Sequence, residues 1–186
     1  MKKLYHGTIA DFDEIDLSKG RDYKDFGKGF YASAFPRHAE SIARRNKKIA
    51  IRRQEFLKKK GLLVNGDAIT AYRYNLLFDE TIASGLNIKE FTSADREWLI
   101  FIMKNRHAKG LIHDYDIVIG PTADAQTSMI LNAYQDELIE SDFDNALCDK
   151  VIKELMPENL PKQYFFGTER AKATLSFDTI KRQVVI

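Results

Sequence analysis

The chain has 186 residues, 44% hydrophobic and 11% aromatic, which suits one domain with a core of its own. Ten Gly and four Pro exclude a collagen-like repeat, and the apolar content excludes wholesale disorder. The net charge of +2 names no partner, and the one cysteine, Cys148, excludes both a disulfide framework and a Cys-based zinc site.

The four histidines lack metal-ligand spacing, and no apolar run approaches the ~18–20 residues of a membrane span. The opening MKKLYHGT has no signal-peptide pattern. The expectation is a soluble, metal-free, cytoplasmic protein of one domain, residues 1–186.

In chain order, Lys3–Tyr5 reads as the end of a strand broken by Gly7. Residues 11–29 are polar and turn-rich, and Phe30–Ala34 is a short apolar strand. Pro36 suits a helix start, and a long helix is predicted from about His38 to Lys60, stopped by Gly61. A strand follows at Ala68–Leu76, then a helix at Ala94–Arg106 with Thr92 or Ser93 as its cap and Trp98, Leu99, Ile102 and Met103 as its buried stripe. Asp116–Ile119 is a buried strand ended by Gly120-Pro121. Helices are predicted at Ala123–Ile139 and Phe143–Leu155, the second with Ser141 or Asp142 as cap, followed by a turn between Pro157 and Pro161. Tyr164-Phe165-Phe166 signals a strand, Thr168 caps a short helix through Ala173, and Arg182–Ile186 adds a last strand. No regular βαβ rhythm emerges, which favours α+β.

Segment Arg37–Lys60 holds ten Lys/Arg against Glu40 and Glu55, leaving 19 basic and 25 acidic residues elsewhere. Such a helix would track nucleic-acid phosphates or serve as a solvated face, and the scarcity of interleaved aromatics, Phe56 alone, favours the solvated face. Mid-helix Cys148 reads as a small core hydrophobe.

The chain has no Walker loop and no GxSxG elbow. Three segments remain as carriers of chemistry. Leu4-Tyr5-His6-Gly7-Thr8 presents an imidazole beside a glycine at a strand end. Phe26-Gly27-Lys28-Gly29-Phe30-Tyr31-Ala32-Ser33 feeds a glycine loop into an aromatic strand. Gln163-Tyr164-Phe165-Phe166 opens an aromatic strand with an amide.

Together these segments resemble the ADP-ribosyltransferase superfamily, in its diphtheria-toxin and poly(ADP-ribose) polymerase branch with a His–Tyr–Glu triad. The likeness is closer still to small bacterial proteins of that superfamily, through Phe12, Ile15–Gly20, Asp25–Tyr31, Glu97-Trp98 and Asp116–Pro121, so that it covers nearly the whole chain. The resemblance implies an α+β fold of two split sheets forming an NAD cleft, with helices around them. It implies a mono-ADP-ribosyltransferase that takes NAD as co-substrate, needs no metal, and modifies a protein or nucleic acid. A bacterial toxin–antitoxin or other operon partner would suit it; a membrane would not.

The resemblance assigns His6 to a ribose hydroxyl, Gly7 to the nicotinamide carboxamide and Tyr31 to the nicotinamide ring, with Thr8 completing the first motif. Arg21, with Lys24 and Lys28 nearby, would face the pyrophosphate. Gln163 stands where the triad has its glutamate, keeping the hydrogen bond but not the charge. An NAD- or ADP-ribose-binding module with weak or no turnover is the first alternative, and Gln163 is its support. A nucleic-acid-binding protein using helix 37–60 is the second. Should Gln163 not be the third triad position, Glu158 and Glu169 are the nearest carboxylates.

Overall fold

A computed structural model describes residues 1–62, 65–123, 125–155 and 160–186. Its strands are β1 (Lys2–Thr8), β2 (Phe30–Ser33), β3 (Tyr72–Phe78), β4 (Ile88–Glu90), β5 (Ile117–Pro121), β6 (Lys162–Phe166) and β7 (Leu175–Val184). Its helices are α1 (Pro36–Lys59), α2 (Glu80–Ala83), α3 (Arg96–His107), α4 (Ala125–Ala133), α5 (Gln135–Glu140), α6 (Asn145–Leu155) and α7 (Glu169–Lys172). β1 pairs antiparallel with β2 and β3, β3 with β7 and β5 with β6, while β4 pairs parallel with β5, so the α+β expectation holds. The chain sorts into two compact units.

The first unit comprises Met1–Ile15, Ala32–Glu80 and Leu175–Ile186. Its strands run in the order β2-β1-β3-β7. Successive residues of a strand face opposite ways, so Leu4 and His6 share one face of β1 while Tyr5 and Gly7 share the other. Helix α1 lies against the Gly7 side: a Cβ on Gly7 would overlap the Ala39 carbonyl oxygen. Pro36 stands at the helix start, as expected, and Ala39 and Ala43 are the residues α1 buries. Beyond them the cationic half is solvated, with Ile49 and Phe56 both exposed. Strand β7 is longer than the predicted Arg182–Ile186, because Leu175–Phe177 also pairs with Leu76–Phe78. A register shift between Tyr74 and Leu76 divides that ladder, and the polar residues opposite the shift hide the strand in the sequence.

The second unit comprises Asp16–Tyr31 and Thr81–Thr174. Its strands run β4-β5-β6, with Gly120 opposite Gln163 and Val118 opposite Phe165. The predicted stripe Trp98, Leu99, Ile102 and Met103 is buried, joined by Phe26, Val118, Leu131 and Phe165. Cys148 sits in this core, where burial pushes its thiol pKa up, as a structural residue would have it. Two caps differ from expectation. Asp95 Oδ1 accepts the Trp98 amide at 2.9 Å and starts α3 in place of Thr92 or Ser93. Asp144 Oδ1 takes the amides of Ala146 and Leu147 at 2.9 and 3.1 Å in place of Ser141 or Asp142. In both cases the carboxylate adjoins the first turn, within reach of the free amides. The predicted Ala123–Ile139 helix divides at Tyr134 into α4 and α5. Thr168 caps α7 as predicted, accepting from the Ala171 amide at 3.1 Å. Pro157 and Glu158 lie outside the described residues.

Candidate functional site

In the second unit the polar centre is Asp25, a residue the sequence analysis gave no role. It directly precedes the Phe26–Phe30 loop. Arg106, from the last turn of α3, donates Nε to Asp25 Oδ1 at 2.8 Å and brings Nη2 to 2.8 Å. The other oxygen, Oδ2, accepts from the Ala123 amide at 3.3 Å and from Gln163 Nε2 at 3.1 Å. Arg106 Nη2 also donates to Ser128 Oγ on α4 at 3.1 Å. The Asp25 and Arg106 side chains are only 13% and 16% exposed, so both charges depend on each other.

This network settles which end of the Gln163 amide is which. Both neighbours, the Asp25 carboxylate and the Pro121 carbonyl (3.5 Å), are acceptors and require the NH₂ end. The carbonyl end, Oε1, therefore turns away from Asp25 and is presented as an acceptor. Gln163 is buried, at 8% exposure, near the start of β6. A glutamate at this position would set two carboxylates face to face, which explains an amide here in physical terms.

Tyr31, on β2, closes the loop that follows Asp25. Its hydroxyl donates to the Gly27 carbonyl at 2.7 Å and accepts from the Phe26 amide at 3.0 Å. Burial, then the negative charge of Asp25, hold the phenol well above its ordinary pKa, so it stays a donor. Its ring tilts against Phe165 with centroids 5.2 Å apart. Gly29 lies flat on β6: a Cβ there would stand 2.5 Å from the Phe166 carbonyl oxygen and overlap the Phe165 ring. The same loop is held by His113, whose Nε2 lies 2.9 Å from the Phe26 carbonyl oxygen. Only a protonated Nε2 can donate there, and burial pushes the His113 pKa down, favouring the neutral ring. Arg21 and Lys24 are exposed, while Lys28 is half-buried with its amide donated to the Gly110 carbonyl at 3.2 Å. Glu169 opens α7, where it pairs with Lys172.

In the first unit His6 is half-buried, with its ring edge-on to Phe12 at 6.0 Å. Phe12 in turn stacks on Tyr74 at 4.0 Å, and the Tyr74 hydroxyl donates to Asp11 at 2.9 Å. Gly7 is required by the approach of α1, a packing reason that the sequence alone did not supply. Thr8 ends β1 by accepting the Ala10 amide at 3.0 Å. An open cleft of about 370 Å³ lies on the Tyr5 face of β1, among Lys3, Tyr5, Arg73, Asn75 and Asp178, away from the face that carries His6. Thus Tyr31 and Gln163 share the second unit, both anchored to the Asp25–Gly27 segment, and His6, Gly7 and Thr8 belong to the first.

Among the described residues no group of three His, Cys, Asp or Glu side chains gathers to hold a metal. No described helix is long and apolar enough to cross a membrane. Asp25, Arg106 and Ser128 are the polar residues that sequence reasoning missed. Asp25 had a signal, since it abuts the glycine loop; Arg106 and Ser128 had none, being brought in from separate helices. No curated protein and no solved structure matches the chain. A family model described as a protein of unknown function (DUF3990) matches residues 2–177, and the chain belongs to that family.

Proposed function

We propose that the protein is an NAD-dependent mono-ADP-ribosyltransferase, an α+β domain with the NAD cleft of that superfamily. The motif resemblance raises this reading, and the observation that carries it is the fixed amide of Gln163. The Asp25 carboxylate holds the NH₂ end, so Oε1 is offered to a hydroxyl donor such as a ribose. In the proposed reaction the bond between nicotinamide nitrogen and ribose C1′ breaks, its electron pair leaving with nicotinamide. A nucleophile on the acceptor forms the new bond to C1′ and gives up its proton. The site's share is to hold the ribose while positive charge develops at C1′.

The test is incubation with NAD labelled in the adenosine half, with and without a cell lysate. Release of nicotinamide together with label retained on protein or nucleic acid supports the reading. NAD binding without release supports the second reading, a binding module, which the uncharged side chain at 163 favours. Neither binding nor release overturns both. His6→Ala and Tyr31→Ala are each expected to weaken NAD binding about tenfold by calorimetry. Tyr31→Phe separates the ring from the loop: it keeps the ring and removes the links to Phe26 and Gly27.

A further inference from the structure

We infer that Asp25 is a positioning residue of this site, which fixes the Gln163 amide and polarises its carbonyl toward the substrate. The inference rests on the transferase reading above. Three observations and one general argument carry it. Asp25 Oδ2 is 3.1 Å from Gln163 Nε2, so the carboxylate and amide form one charged donor–acceptor pair. Arg106 takes the opposite oxygen, Oδ1, and Ser128 steadies Arg106, so Asp25 cannot swing away without stranding a largely buried cation. The Ala123 amide adds a second contact to Oδ2 from the segment after β5. Finally, a hydrogen bond accepted by a carboxylate polarises the amide that donates it, making Oε1 a stronger acceptor than a free glutamine oxygen.

Orientation and contact are thereby divided between two residues. Asp25, paired with Arg106, aims and polarises the amide, and Gln163 delivers the contact. The arrangement predicts that position 163 cannot be changed to a carboxylate alone, because the new group would face Asp25 with no proton between them. It also predicts that exchanging the two side-chain types restores the pair. With Asn at 25, the amide nitrogen can donate toward 163 and the amide oxygen can still accept from Arg106, at the loss of the 3.3 Å contact from the Ala123 amide.

The experiment measures nicotinamide release and thermal melting for wild type, Asp25→Asn, Gln163→Glu and the double variant. Each single variant is expected to lower kcat by roughly tenfold to a hundredfold, with KM for NAD changed by less than about threefold. The double variant is expected to exceed either single by about tenfold or more. Single variants with wild-type kcat, or a double variant that regains melting temperature but not kcat, would overturn the inference. If Asp25→Asn does not fold, the comparison of the double variant with Gln163→Glu decides in the same direction. Wild type that binds and turns over NAD while Asp25→Asn matches it removes this inference alone. Wild type without NAD binding or release removes the functional reading as well.

Discussion

Asp25 and Asp116 are built from the same parts and do different things. Each carboxylate takes an arginine, one neutral side-chain donor and one backbone amide. For Asp116 these are Arg170 at 2.8 Å, the Thr168 hydroxyl at 2.6 Å and the Asn87 amide at 3.0 Å. For Asp25 they are Arg106, Gln163 and Ala123. The difference lies in what the donor does with its other end. The Thr168 hydroxyl spends it on the Ala171 amide, closing the circuit inside the fold. The Gln163 amide has a carbonyl left over, turned away from the carboxylate. One cluster is a rivet; the other is a rivet with a handle. The arginines differ as well, since Arg170 is 70% exposed and Arg106 is 16% exposed.

Breaking the rivet should give the largest stability effect. Asp116→Ala leaves three donors without their acceptor at a side chain 1% exposed, and should cost about 3–5 kcal/mol in denaturant unfolding. Asp25→Ala strands Arg106, which is 16% exposed, and should cost a comparable amount, about 3 kcal/mol, while removing more activity than any change at Asp116 that still folds. Thr168→Ala removes both a helix cap and one Asp116 contact, at about 1 kcal/mol.

Acid should attack the two clusters differently. Burial pushes the Asp116 pKa up, but Thr168, Asn87 and Arg170 together outweigh it, so the folded value is lowered. The unfolded chain therefore binds a proton first, and stability is lost as pH falls below about 4. Asp116→Asn should flatten that loss. The loop beside Asp25 should respond earlier and least. His113 has its pKa lowered by burial, against the opposing pull of the Phe26 carbonyl and Asp114, so the unfolded chain takes its proton first as pH falls below about 6.5. The resulting small loss of stability should disappear in His113→Phe, read by melting temperature across pH 5–8.

The parts of this fold that the sequence announces are those with a local cause. Pro36 starts α1, Thr168 caps α7, and the Trp98–Met103 stripe finds the core. The parts it hides have causes far away along the chain. Asp95 and Asp144 compete with nearby serines and threonines for the same helix ends, and only the folded backbone decides between them. The half of β7 near Leu175 is visible only against Leu76–Phe78. The site follows the same rule. Tyr31 and Gln163 are named by their motifs, whereas Asp25 gains its meaning from Arg106, 81 residues away, and Gln163, 138 residues away.

The one-residue alternation of β1 ties two functions to a single degree of freedom. Gly7 must face α1, because any larger residue meets Ala39. His6 is therefore obliged to face the Phe12–Tyr74 side. Sliding the strand one way would drive the imidazole into the helix and put Tyr5 where the ring belongs; sliding it the other way would drive Thr8 into the helix and leave a glycine in the ring's place. The helix thus selects strand alignment: its close approach is compatible only with the pairing of β1 and β3 that turns the histidine to the opposite face of the strand.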